Sequence, residues 1–261
     1  MKSFNFKSAA NTKEAMKMAS GRATFLAGGM TLLPAIKLRL AAYSDLINIK
    51  KIKALSGIKV SSKSLRIGAT TTHAEVASSK EVGKSISSLA VLADGIGDPQ
   101  VRNRGTIGGS IANNDPAADY PSACLALNAT IHTSKRKIPA NKFFKGMFET
   151  DLKKGELIES VEFEVPEKSA YAKFPNPASR YAIVGVYVAK LKKEVRVAVT
   201  GVESFVFRCK KLEDALANNF SPSVIDNITI SSKGFNSDIH ASAEYRAHII
   251  KVMAKKAVSS C

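Results

Sequence analysis

The chain has 261 residues, 45% hydrophobic and 23% charged, enough for one large domain or two modest ones with a real core. No apolar run approaches the roughly 20 residues that span a bilayer, and Met1-Lys-Ser-Phe-Asn-Phe6 lacks the apolar stretch of a secretory signal, so a cytoplasmic protein with no transmembrane segment is expected. The net charge of +17 admits anionic partners, but only 10 of the 39 basic residues are Arg, the lysines are scattered and Trp is absent, which reads as a solvated surface or one facing an acidic partner subunit, with nucleic-acid binding as an alternative.

The first fifty residues alternate strand and helix. Phe4–Phe6 is a strand candidate. Asn11 caps a helix, with Glu14 three residues on reaching back, and the helix runs toward Gly21. Thr24–Ala27 is the next strand, Gly28-Gly29 a turn, and a helix follows from Thr31 to Leu40, with Pro34 tolerated in its first turn. Asp45–Ile49 closes a β-α-β-α-β order, which implies a small parallel sheet. From residue 53 to 168, Leu65–Gly68 reads as a strand, Thr72 and Glu75 as a capping box, and Ser85–Gly95 as a helix. Gly97–Gly105 reads as a long polar loop of the kind that is usually functional. Asp119–Leu127 reads as a helix, and Thr130–Thr133 and Leu157–Val165 as strands. From Ser169 onward, Tyr171–Phe174, Ala182–Lys190 and Val195–Gly201 are strands, the last two forming an antiparallel hairpin. Lys211–Asn218 and Ala243–Val258 are helices, the latter with Ile250, Met253, Ala254 and Ala257 on one face.

Two glycine-rich segments carry the chemistry. In Phe25-Leu-Ala-Gly-Gly-Met-Thr-Leu-Leu33 and Arg104-Gly-Thr-Ile-Gly-Gly-Ser-Ile-Ala-Asn113 a strand runs into a turn that exposes successive backbone N–H groups, a cradle for an anion. Alone, Gly28-Gly29 is equally an ordinary tight turn. The second segment is richer, with two hydroxyls, Arg102 and Arg104 upstream, and Asn113, Asn114, Asp115 and Asp119 downstream; its bland alternative is a strand bulge with a polar turn. The pair suits a pyrophosphate held between two turns, hence a bound dinucleotide. Neither is a G-x-G-x-x-G fingerprint or a Walker loop. Cys124, Cys209 and Cys261 form no CxxC and read as buried reduced thiols, and the four histidines form no HxxxH or HExxH, so no metal is assigned. No G-x-S-x-G elbow or other side-chain catalyst stands out, so no catalytic residue is named and a cofactor is expected to do the chemistry.

Longer motifs extend these segments: Leu26-Ala-Gly-Gly-Met-Thr-Leu-Leu-Pro34 with Lys37-Leu-Arg-Leu40, Ile67-Gly-Ala-Thr-Thr-Thr-His73, Ile96 through Asn113, Asp115-Pro-Ala-Ala-Asp-Tyr-Pro121, Gly146–Thr150, Gly155–Ile158, Lys173-Phe174 and Ser179–Tyr181. On these the chain resembles the FAD-binding medium subunit of molybdenum hydroxylases, the group of carbon monoxide dehydrogenase and xanthine dehydrogenase, over nearly its whole length. The resemblance implies an α+β fold: a two-subdomain, PCMH-type α/β FAD-binding domain over 1–168 (subdomains about 1–52 and 53–168), then a small C-terminal domain over 169–261 of antiparallel sheet plus helices. It implies that Ala27, Gly28, Gly29, Met30 and Thr31, with Thr106, Gly108, Gly109 and Ser110, hold the FAD pyrophosphate. Asp119 would meet ribityl or ribose hydroxyls, Leu157 would pack near the adenine, and Lys173 and Tyr181 would lie near the isoalloxazine. Met30 departs from the pattern, where a polar residue such as His or Gln is usual.

The function so implied is an oxidoreductase subunit. Electrons from a large molybdenum-cofactor subunit would pass through the clusters of a small iron–sulfur subunit to FAD and on to an external acceptor. The competing readings are a stand-alone flavin oxidase or reductase and a basic nucleic-acid-binding module.

Overall fold

A computed structural model describes residues 2–261; Met1, which opens both the N-terminal segment and the first expected domain, lies outside the described residues. The first layer is β1 (Asn5–Ser8), α1 (Thr12–Met18), β2 (Ala23–Leu26), α2 (Leu32–Lys37) and β3 (Asp45–Asn48). Its sheet has the order β1-β3-β2 and both pairings are parallel, as the alternating order requires. Asn11 Oδ1 accepts the Glu14 N–H at 2.9 Å, and Glu14 Oε2 accepts the Ala10 N–H at 2.7 Å, one residue earlier than a strict capping box. Helix α2 stops at Lys37 rather than Leu40. Arg39 takes a φ of 63°, and the Leu40 and Ala41 N–H groups turn back onto the Ala35 carbonyl, closing the helix end.

The second layer contains β4 (Ile58–Val60), β5 (Ser64–Gly68), α3 (His73–Ser78), α4 (Lys80–Ser85), α5 (Ser87–Asp94), α6 (Pro99–Arg104), α7 (Ile107–Asn113) and α8 (Tyr120–Ala126). It continues through β6 (Thr130–Thr133), β7 (Lys137–Pro139), α9 (Ala140–Phe143), β8 (Phe144–Gly146), β9 (Glu149–Thr150) and β10 (Ile158–Glu164). Strands β4-β5-β10-β6-β7 form an antiparallel sheet. Its core joins Ile67, Ile131 and Val161 of the strands to Leu89, Leu92, Ile107, Ile111 and Cys124 of the helices. The Thr72–Glu75 capping box forms in full. The polar stretch expected as a loop over 97–105 folds instead as α6. Asp98 Oδ1 accepts the Val101 N–H at 2.8 Å, and Pro99 occupies the first turn, where its missing N–H costs nothing.

The third layer is β11 (Lys168–Pro175), β12 (Ala182–Lys190), β13 (Val195–Thr200), β14 (Phe207–Arg208), α10 (Lys210–Asn218) and α11 (Ala243–Ser259), with an antiparallel sheet in the order β11-β12-β13-β14. Strand β12 is buried on both faces. Val184, Val186 and Val188 pack with Ile250, Met253, Ala254 and Ala257 of α11, while Tyr187 and Ala189 point the other way into the core of the second layer. The two-residue period of a strand thus welds the last layer to the middle one. Cys124 and Cys209 are buried and Cys261 is half-buried; all three are free thiols.

Candidate functional site

The two glycine segments meet. Gly29 follows β2 with a φ of 76°, a left-handed conformation that disfavours any side chain, and its carbonyl accepts the Leu33 N–H at 3.0 Å. A methyl group at Gly28 would overlap the Arg104 carbonyl oxygen and would stand 2.9 Å from the Gly105 Cα, so the backbones of the two segments touch there. Among the described residues, no acceptor is found for the N–H groups of Gly28, Gly29, Met30 and Thr31.

The second segment is built differently from the expected strand and turn. Thr106 is the N-cap of α7, and its Oγ1 accepts the Gly109 N–H at 3.1 Å. The Ile107 N–H goes to the Thr71 carbonyl at 3.1 Å, Gly108 to Ala69 at 2.9 Å and Ser110 to Thr106 at 3.0 Å. These donors are therefore spent inside the protein. What this wall offers is hydroxyls and a close approach. An added Cβ at Gly108 would press on Ala69 at 2.5 Å, whereas at Gly109 it would meet only Thr106 Oγ1 at 3.0 Å and otherwise open space.

Between the walls lies a cleft of about 620 Å³, within the range of cofactor sites. Ala27, Gly28, Gly29, Met30, Thr31, Thr106, Gly108, Gly109, Ser110, Asp119, Leu157 and Tyr181 all line it; Lys173 does not. Leu157 is buried and packs with Ile47, Ile49 and Ile52 of the first layer. Tyr181 lies at the end of the turn between β11 and β12, 43% exposed. Met30 is 38% exposed at the cleft edge.

Lys173, expected beside the ligand, sits behind the wall and reaches Asp119. Its Nζ lies 3.0 Å from Asp119 Oδ1 and 3.2 Å from Oδ2, and donates to the Gly95 carbonyl at 2.8 Å. Tyr171 Oη also donates to Asp119 Oδ1. Burial pushes the Asp119 carboxyl above its ordinary range, and the Lys173 charge and the two hydrogen bonds oppose that. Burial likewise raises the Asp115 carboxyl.

Sequence reasoning passed over three neighbours. His73 also lines the cleft; its N–H donates to the Gly105 carbonyl at 3.0 Å, and its ring occupies the space a Gly105 side chain would need. Burial, and then the Arg102 charge, pull its pKa down to about 4, so the ring is neutral. Tyr171 was read only as a strand residue. Glu156 is buried; desolvation pushes its carboxyl up, but bonds from Arg136 Nε at 3.0 Å, Thr133 Oγ1 at 2.7 Å and the Lys153 N–H at 2.8 Å overcome this and hold it at about 2. That clamp fixes the neighbouring Leu157. The capping box ahead of His73 and the Gly155–Ile158 motif around Glu156 were the readable signals; nothing local marks Tyr171.

The cleft fits a dinucleotide: N–H groups without a partner among the described residues on one wall, hydroxyls and the open face of Gly109 on the other, and a carboxylate beyond. Comparison with known proteins agrees. Residues 2–167 match the family described as the FAD binding domain in molybdopterin dehydrogenase, and residues 169–261 the CO dehydrogenase flavoprotein C-terminal domain. The chain is 36% identical to the glyceraldehyde dehydrogenase medium chain of Sulfolobus acidocaldarius, covering 97% of this chain and 96% of that protein. It is 32% identical to the carbon monoxide dehydrogenase medium chain of Hydrogenophaga pseudoflava, over 91% and 88%. A solved structure of carbon monoxide dehydrogenase from the same organism, lacking the Mo-pyranopterin moiety, superposes with a TM-score of 0.90 at 30% identity, covering 99% of this chain and 96% of that one.

Proposed function

The chain belongs to the FAD-binding medium subunits of the molybdenum hydroxylases, and on that premise we propose how its residues serve the cofactor. It is an FAD-binding oxidoreductase subunit with an electron-transfer role. The FAD-binding domain spans 1–168, with subdomains about 1–52 and 53–168, and the C-terminal domain spans 169–261. The pyrophosphate lies between the two glycine segments. Gly28–Thr31 donate backbone hydrogen bonds to it, Thr106 and Ser110 present hydroxyls, Gly109 allows close approach, and Gly108 seats the start of α7 against Ala69. Asp119 accepts from sugar hydroxyls, Leu157 packs near the adenine, and Tyr181 covers the isoalloxazine. FAD when bound supplies the redox chemistry, taking electrons singly and giving up a pair, while the protein supplies position and electrostatics.

The partners are a large molybdenum-cofactor subunit and a small iron–sulfur subunit, and an external acceptor drains the electrons; the complex works in the cytoplasm. The observation that supports this reading is the close approach of Gly28 to Arg104 and Gly105, which brings the two glycine segments together. The test is an absorption spectrum of the purified chain after reconstitution with FAD, together with Gly109→Val. Space at Gly109 opens to the cleft apart from Thr106 Oγ1 at 3.0 Å, so the variant is expected to keep its fold, checked by its far-UV circular dichroism, while its FAD affinity falls by roughly a hundredfold or more. A colourless wild-type protein, or full FAD occupancy in the variant, sinks the assignment.

A further inference from the structure

Asp119 and Lys173 are 54 residues apart in sequence and form a buried ion pair at the cleft wall, Asp119 lining the cleft, with side chains 5% and 10% exposed. Lys173 spreads its donors over Oδ1, Oδ2 and the Gly95 carbonyl, while Tyr171 gives its hydroxyl proton to Oδ1. A carboxylate has about four acceptor sites. This arrangement crowds Oδ1 and leaves acceptor capacity on Oδ2. It also ties β11, the start of α8 and the end of α5 to one point on the wall.

We propose that Lys173 is a positioning residue that keeps Asp119 an anionic carboxylate, so that its remaining lone pair receives a hydroxyl of the bound flavin dinucleotide as a charge-assisted hydrogen bond. This rests on the reading above that the cleft holds FAD. The sequence expectation put Lys173 itself beside the isoalloxazine; the geometry assigns it to the carboxylate instead.

Among the described residues, Lys173 is the cation paired with Asp119; Arg180, which also lines the cleft, donates to the Gly97 carbonyl at 3.1 Å. Facing the Asp119 carboxyl are Lys173 and Tyr171 from β11, Tyr120 from the next position of its own helix, and Tyr181 from the β11–β12 turn, whose hydroxyl also senses Asp115. The three tyrosines are neutral, burial pushing each hydroxyl up. On the other elements packed against α8, Arg196 of β13 binds the Leu125 carbonyl at the far end of the helix, Arg208 of β14 is paired with Glu194 and Glu213, and Lys142 of α9 is exposed. Asp94, at the end of α5, pairs with Arg102. Without Lys173, Asp119 is a desolvated carboxyl with no counter-charge, and it takes up a proton in the neutral range. A protonated acid is the weaker acceptor.

The experiment is a pH series of FAD-binding titrations on the full chain, from about pH 6 to about pH 9, comparing wild type, Lys173→Met and Lys173→Arg. Wild type and the Arg variant are expected to bind with a flat profile. The Met variant is expected to approach wild-type affinity at the alkaline end and to lose about tenfold for each pH unit below the new pKa of Asp119. A purely structural Lys173 would lower affinity equally at every pH, and that flat loss overturns the proposal. Should the Met variant not fold, a carbon-13 titration of the Asp119 carboxyl in the unaltered chain decides. An ionised group at neutral pH supports the proposal, and a protonated one overturns it. That arm needs no FAD, so a wild-type chain that fails to bind the cofactor refutes the functional reading and leaves the Lys173 result standing by itself.

Discussion

The two walls of the cleft solve one problem in opposite ways. The Gly28–Thr31 wall hangs from a three-stranded sheet over a small core built around Ile47, Ile49 and Ile52, and its backbone N–H groups have no partner among the described residues. The Thr106–Ser110 wall is wired into the middle layer: each N–H from Ile107 to Ser110 is bonded to Ala69, Thr71 or Thr106, and Ile107 is in the main core. The first wall is a set of donors that a ligand must complete. The second is a finished surface whose contribution is shape. Two similar-looking glycine motifs therefore do different work, because one precedes its helix with free N–H groups while the other has its helix start capped from within.

The comparison breaks most sharply at Gly28, where the walls touch. Gly28→Val forces the backbone just after β2 away from Arg104. The expected cost is about 3 to 4 kcal/mol of stability with loss of FAD binding, read by thermal denaturation and cofactor titration. A wild-type melting temperature in that variant would mean that the walls are not held together there.

Next comes acid. His73 braces the finished wall as a neutral ring with a pKa near 4, against 6.5 for an ordinary histidine. Between those values the unfolded chain binds a proton that the native chain does not. Stability is therefore complete above about pH 6.5 and drains as pH falls toward 4, by about 2 to 3 kcal/mol. Denaturant titrations at several pH values check this, and His73→Gln should flatten that part of the profile.

Amide hydrogen exchange separates the walls directly. FAD should slow exchange at Gly28–Thr31 by about tenfold or more while leaving Ile107–Ser110, already protected, nearly unchanged. Equal protection of both would erase the distinction drawn here. The smallest effect is Thr106→Ala, which removes one cap and costs about 1 kcal/mol, measurable as a shift in denaturant midpoint at constant slope.

Much of this architecture was legible. The β-α-β-α-β order, the Thr72–Glu75 box and strand β12 came directly from periodicity and caps, because those signals are local. Helix α6 was local too, but its Asp98-Pro99 start was masked by the polarity of the stretch and read as a loop. The β8–β9 hairpin was unreadable, since its turn is held from outside: buried Asn114 donates to the Gly146 and Glu149 carbonyls at 2.7 and 2.8 Å, and its own carbonyl accepts the Phe148 N–H at 3.1 Å. At the site, the glycines announced themselves through composition. Of the residues quoted for the second segment, Gly105, Thr106, Gly108, Gly109, Ser110, Asn113, Asp115 and Asp119 lie on the cleft, whereas Arg102, Arg104, Ile107 and Asn114 do not. The distribution of donors between the walls did not show, because it depends on whether Thr71 and Ala69 reach the second segment. The pairing of Lys173 with Asp119 was unreadable for the same reason: the two are 54 residues apart in sequence.

Leu157 carries a practical consequence for exchanging parts among relatives. It belongs to the chain entering β10, yet its side chain completes the small core beneath the parallel sheet, beside Ile47 and Ile52, and Leu55 lies in the same cluster. A chimera that borrows only residues up to about 52 would arrive with a hole where its keystone should be, and would have to find a fitting leucine in a host that evolved around a different one. The inheritable unit is the first sheet together with the strand entrance that plugs it, two stretches of sequence that can be transplanted only as one piece.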